Sequence, residues 1–182
     1  MASQDAEAVV PGLPGIEAVF DTIEVCAKPV IAAVQGAAMG GGLLLTLVAD
    51  ACLASEHAKF GAPEVKLGFF PNLCLIPRLE RLVGLRAAKQ MVLTGEPVSA
   101  TTALDWGLVD RVVPSKELHA EVQTLAEQLA ALPPFAVQSA KAAFGASHRA
   151  DFVKWERHRF AECWAHPERA AAMEAFLATR RK

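Results

Sequence analysis

The stretch Lys28-Pro-Val-Ile-Ala-Ala-Val-Gln-Gly-Ala-Ala-Met-Gly-Gly-Gly-Leu-Leu-Leu-Thr-Leu-Val-Ala-Asp50 decides the fold. A short apolar run stops at a glycine cluster and then resumes as a longer apolar run, the pattern of a strand, a turn and a buried helix. Gly40, Gly41 and Gly42 stand where that helix begins. Without side chains there, a ligand can approach backbone N–H groups that have no partner inside the helix. The helix dipole adds positive potential at the same end. Such an end can hold a resident anion, or it can stabilise one that exists only in a transition state.

Working outward, Ile16, Val19, Phe20, Ile23 and Val25 carry a helical spacing up to Cys26, and Pro29 opens a strand over 30–34. Ala51-Cys-Leu-Ala-Ser55 reads as a second strand that follows the first after one crossover helix, as in a parallel βαβ unit. Residues 60–64, Phe-Gly-Ala-Pro-Glu, form a tight corner. Pro71 and Pro77 argue against regular structure before Arg78. Helices are expected over 78–83, 85–94 and 100–106, the last capped by Ser99, and a strand over 109–114. The remainder reads as helical over 116–131, 135–144, 151–164 and 168–177. Residues 1–182 are thus expected to form a single domain of α/β class, with a core over about 1–114 and a helical region over 115–182.

Composition narrows the function. With 53% hydrophobic and 21% charged residues the chain suits a compact fold with unusually apolar helices or a buried oligomer surface. A net charge of −2, with no basic run before Arg180-Arg181-Lys182, gives no footprint for nucleic acid. The apolar stretches are broken before they reach membrane-spanning length, and the N-terminus lacks the layout of a signal or transit peptide. A cytoplasmic location is the expectation. Cys26, Cys52, Cys74 and Cys163 are widely spaced and form no C-x-x-C pair, so they read as reduced core thiols, and no metal site is expected.

Near the glycine turn the obvious proton-handling group is Glu64, in an apolar corner suited to general acid or base work; the bland alternative is a surface or capping glutamate. The glycines have their own bland alternative, close packing of helix on strand. No Gly-Lys-Ser/Thr follows them, and the spacing of Gly36, Gly40 and Gly42 is not G-x-G-x-x-G, so phosphate cradling loses ground. The five histidines are scattered, and no serine sits in a G-x-S-x-G turn.

Five segments together carry a resemblance. They are Lys28 to Gly42, Ala58-Lys-Phe-Gly-Ala-Pro-Glu-Val-Lys-Leu-Gly68, Arg81-Leu-Val-Gly84, Leu93-Thr-Gly-Glu96 and Gly107-Leu-Val-Asp-Arg-Val-Val-Pro114. In order and spacing they resemble the enoyl-CoA hydratase/isomerase (crotonase) family over about residues 16–182. The resemblance implies stacked ββα units in a spiral core, with a helical C-terminal region that drives assembly into a homotrimer or a dimer of trimers. It implies an acyl-CoA thioester as substrate, in fatty acid metabolism or a related route, with coenzyme A part of the substrate and no separate cofactor. By the same resemblance Gly41 supplies one N–H of an oxyanion hole for the thioester and Glu64 exchanges protons with the substrate. Gly40, Gly42, Leu44, Phe69 and Leu73 fall at substrate-binding positions, and Phe176 and Arg180 at the CoA adenine end.

Three departures from the family pattern shape the expectation. Hydratases of the family carry a second glutamate where this chain has Leu44, and two carboxylates are what hold and activate the added water. Chemistry with one carboxylate, such as double-bond isomerisation, is then expected, or an atypical hydration. Asn72-Leu-Cys-Leu-Ile-Pro77 stands where hydratases have a glycine-rich stretch beside the acyl pocket, and its bulk should narrow or reshape that pocket. Family members also carry a further N-terminal segment that supplies the other oxyanion N–H. The alternative expectation is therefore a truncated, non-catalytic homologue acting in binding or assembly.

Overall fold

The computed structural model describes residues 13–68, 71–146 and scattered positions between 158 and 178. Among the described residues up to 146 the elements are, in order, α1 (Leu13–Val25), β1 (Ile31–Val34), β2 (Ala37–Met39), α2 (Gly41–Val48), β3 (Ala51–Ser55), β4 (Lys59–Gly61), a 3-10 turn (Pro63–Leu67), α3 (Leu75–Thr94), β5 (Val98–Ser99), α4 (Ala100–Asp105), β6 (Arg111–Val113), α5 (Leu118–Ala130) and α6 (Pro134–Ala146). Two compact units divide the chain, one of residues 1–24 and 30–123, the other of 25–29 and 124–182.

The first unit repeats one motif. A strand of one sheet runs into a strand of a second sheet, and a helical segment returns the chain. β1, β3 and β6 form the first sheet, all parallel, with Ile31 opposite Ala51 and Leu53 opposite Arg111. β2 and β4 pair in parallel in the second sheet, where β5 adds antiparallel to β4. This is the stacked ββα arrangement, and the expected crossover of α2 between parallel β1 and β3 is present. Two aspartates brace the first sheet. Asp50 accepts from the Val30 N–H at 2.7 Å and Asp110 from the Cys52 N–H at 2.7 Å, satisfying amides at strand ends that the ladder leaves open.

The core lies under α2. Leu43, Leu44, Leu47 and Val48 are buried with Phe60, Leu79 and Met91, while Leu45 turns outward. Ser99 caps α4 as expected, its hydroxyl accepting from the Thr102 N–H at 3.1 Å.

Three local expectations are corrected. β2, β4 and β5 are additional strands, two or three residues long, too short to print a period in the sequence. α3 begins at Leu75 rather than Arg78; Pro77 falls in its first turn, where the missing N–H is no loss. The break between 78–83 and 85–94 is real, because Gly84 leaves helical geometry at φ 76° and ψ 162°. Among the cysteines, Cys52 is buried but Cys74 is exposed, and Cys163 lies outside the described residues.

α1 docks on the start of α3 through matched spacings. Glu17, Asp21 and Glu24 lie on one face of α1 and meet Cys74, which caps α3, and Arg78 and Arg81 within it, at the same offsets. Arg78 is the centre. Its guanidinium donates to Asp21 and Glu24, each at 2.8 Å, and to the Leu73 carbonyl at 2.9 Å. These bonds hold a strained corner, since Leu73 and Cys74 both have positive φ, 53° and 57°.

In the second unit, Lys141 of α6 donates to the Lys28 carbonyl at 3.0 Å, and Glu168 accepts from the Phe135 N–H at the first turn of α6. The Phe135 ring stacks on His166 with centroids 4.4 Å apart.

Candidate active site

Two short strands place the site. Parallel pairing of Met39 with Gly61 sets the C-terminal ends of β2 and β4 side by side. From one end the chain enters the glycine turn, and from the other it enters the corner that carries Glu64. The Gly40 backbone and the Glu64 carboxyl, 24 positions apart, therefore meet because of a ladder of only three residue pairs.

Gly40 makes the turn. Its backbone at φ 53° and ψ −114° is open to glycine and little else. Two bonds pin it: the Gly40 N–H donates to the Gly61 carbonyl at 3.0 Å, and the Gly40 carbonyl accepts from the Leu44 N–H at 2.9 Å. The second is the first bond of α2, so the N–H groups of Gly41, Gly42 and Leu43 precede the intrahelical ladder. A Cβ built on Gly41 or Gly42 meets nothing within 4 Å among the described residues, so the space beside these two glycines is open.

Glu64 is the second residue of the 3-10 turn, after Pro63 at its first position. A Cβ on Gly40 would stand 2.9 Å from Glu64 Oε1, so the carboxyl lies directly against the glycine turn. Its other oxygen, Oε2, is shielded from solvent and has no hydrogen-bond partner among the described residues. An enclosed carboxylate oxygen with no protein donor is costly for stability alone. Its lone pairs are not taken up by any donor among the described residues.

The remaining expected positions separate. Gly40 and Gly42 border the turn with Gly41. Leu44 is 1% exposed and packs in the core cluster, because the face of α2 bearing Leu43, Leu44 and Leu47 is the buried one. Leu73 packs half-buried against the core at the strained corner held by Arg78. Phe69, Phe176 and Arg180 lie outside the described residues. No group of three or more His, Cys, Asp or Glu is placed to hold a metal ion among the described residues. No helix among them is long and apolar enough to cross a membrane.

Sequence reasoning gave no role to Lys66, Gly95 or Glu96. Lys66 Nζ lies 2.6 Å from Glu96 Oε1, which ties the turn carrying Glu64 to the end of α3. The motif Leu93-Thr-Gly-Glu96 was the available signal, but nothing in it says what it touches.

The family profile described as enoyl-CoA hydratase/isomerase matches residues 12–182. A short-chain-enoyl-CoA hydratase of Clostridium acetobutylicum is 38% identical over 166 residues, which is 90% of this chain and 64% of that protein. A crotonyl-CoA hydratase of Syntrophomonas wolfei is 40% identical over the same shares. The crystal structure of an enoyl-CoA hydratase from Bacillus anthracis superposes with a TM-score of 0.92 at 32% identity, covering 98% of this chain and 70% of that one. The chain spans 64% of the length of each of these two relatives.

Proposed function

The chain belongs to the enoyl-CoA hydratase/isomerase family, and from that premise we propose that it processes an acyl-CoA thioester, with Gly41 and Glu64 as its reacting groups. The carrying observation is the convergence just described: a glycine turn with unladdered N–H groups, and a carboxyl whose Oε1 would be 2.9 Å from a Cβ on Gly40. The Gly41 N–H donates to the thioester oxygen as negative charge develops there; loss of a donor of this type costs about 3 to 4 kcal/mol of barrier. Glu64 removes a proton from the carbon next to the thioester carbonyl, and the electron pair moves into the enolate. In a 3-enoyl thioester the same proton returns from Glu64 at the far end of the conjugated system, giving the 2-enoyl isomer.

With Leu44 in the core, the position expected of a second water-activating carboxylate offers none. That favours isomerisation, or a hydration that relies on Glu64 alone, over ordinary paired-carboxylate hydration. Assays with 3-enoyl-CoA and 2-enoyl-CoA test this. Turnover of the 3-enoyl substrate, abolished by Glu64→Gln, is the expected result; inactivity on both with acyl-CoA binding intact removes the catalytic claim. The second reading, a non-catalytic homologue that binds or assembles, is favoured by the same Leu44 and by the bulky corner at Leu73 and Cys74. Calorimetric titration with an acyl-CoA separates the two, since an assembly protein gives no saturable heat. Assembly as a homotrimer or dimer of trimers through the C-terminal helices belongs to the proposal, and light scattering reads it.

A further inference from the structure

The turn that carries Glu64 has no buried residue of its own and no side-chain cap at its start. The core therefore does not hold it, and something else must, because the carboxyl has to stay against the glycine turn. The opposite side of the turn meets Gly95, the left-handed cap that ends α3 at φ 64°. A Cβ on Gly95 would lie 2.9 Å from Lys66 Cγ and 3.2 Å from Val65 Cγ2, so two consecutive residues of the turn rest on the bare backbone of that cap. Beside it, Lys66 Nζ reaches Glu96 Oε1 at 2.6 Å. The turn thus lies between two glycines, with Glu64 facing Gly40 and Val65 and Lys66 facing Gly95.

We infer that Gly95, with the Lys66–Glu96 pair, is the seat that positions Glu64: it fixes how far the carboxyl stands from the Gly41 N–H. This rests on the proposed role of Glu64, but the seating is a structural claim that can be read by itself. A methyl group at Gly95 has two ways out. Lys66 can rotate, which breaks its exposed bond to Glu96, or Val65 can shift, which its branched side chain resists because few rotamers are open to it. A shift of Val65 lifts the turn from its seat and moves the carboxyl with it, and rotation of Lys66 removes the pair with Glu96 that holds the turn against α3. Gly95 and Lys66 are positioning residues here, acting through Glu64.

The experiment compares Gly95→Ala, Lys66→Ala and the double variant in the full chain, with Gly107→Ala as control. Gly107 shares the positive φ, 75°, but a Cβ there meets only the Leu82 carbonyl at 3.7 Å, so it carries the backbone strain without the displacement. The first readout is the amide resonances of Gly40 and Gly41 in the labelled protein. Gly95→Ala moves both by more than a line width, although neither is near residue 95 in sequence. On the Lys66→Ala background, where the crowded Cγ is gone, the same substitution moves them less than half as far. The second readout is turnover of 3-enoyl-CoA: kcat falls about tenfold in Gly95→Ala with KM nearly unchanged, since a misplaced reacting group loses rate before binding. Unmoved resonances, equal displacements in both Lys66 backgrounds, or a displacement of the same size in Gly107→Ala would each overturn the seat. A protein without turnover overturns the proposed activity instead, and the resonances then still decide the seating.

Discussion

Gly40→Ala tests the architecture of the site at its tightest point. An alanine at φ 53° and ψ −114° occupies a region that L residues avoid, at a cost of about 1 to 3 kcal/mol. The backbone cannot relax freely, because the Gly40 N–H and carbonyl are held at 3.0 and 2.9 Å by Gly61 and Leu44. Breaking either bond to relieve the strain costs about 0.5 to 1.5 kcal/mol. The new Cβ also arrives 2.9 Å from Glu64 Oε1 and must push the carboxyl aside. Together these give a loss of about 2 to 4 kcal/mol, which lowers a urea midpoint by about 1 to 2 M for a slope near 2 kcal/mol/M. Paired measurement in the Glu64→Ala background separates the parts. Removing the carboxyl removes the contact but not the strain, so the cost of Gly40→Ala should shrink by about 1 kcal/mol without vanishing. Equal losses in both backgrounds would refute the contact between Gly40 and Glu64, and a loss under about 0.5 kcal/mol in either would refute the strained turn.

Burial, with the Asp110 carboxylate adding to it, pushes the Cys52 thiol from 9.0 up to about 12. The folded state thus keeps a proton that the unfolded chain releases, so this contribution is whole below pH 9 and is lost as pH rises from 9 towards 12. In urea melts across that range, the stability of Cys52→Ala should fall less steeply with pH than that of the parent, by up to about 1.4 kcal/mol per pH unit; parallel slopes would contradict it. Cys74 sits exposed at φ 57°, and Cys74→Gly should stabilise the chain by about 0.5 to 1 kcal/mol as left-handed strain is relieved against glycine's entropy. A destabilised variant in thermal melts counts against that strain. Arg78 is 12% exposed but its partners Asp21 and Glu24 are 56% and 33% exposed, so solvent screening holds the loss in Arg78→Met to about 2 kcal/mol. Hydrogen exchange should show α1 and residues 72–76 loosening together; loosening of one alone breaks the link.

Local pattern made several elements legible. The apolar run after the glycines and the Ser99 cap rest on contacts within a few residues of chain, while β1 and β3, which pair with each other across the α2 crossover, were legible as short apolar runs on either side of it. The division of α3 at Gly84 was readable for the same reason. The partners on α1 and α3 were not. A periodic reading sees the apolar face of α1, whereas Glu17, Asp21 and Glu24 acquire meaning only opposite Cys74, Arg78 and Arg81.

By itself the sequence determined that a bare-backed helix start exists at Gly40 to Gly42 and that Glu64 sits in an apolar corner. The family motifs, not the physics of either segment, suggested that the two belong together. Tertiary structure decided their meeting, through the pairing of Met39 with Gly61 in strands too short to leave a period. It also decided that Leu44 turns into the core and that Gly95 lies beneath the turn bearing Glu64. Backbone conformation is written in near neighbours, but which surfaces come into contact depends on where every other segment has already been placed.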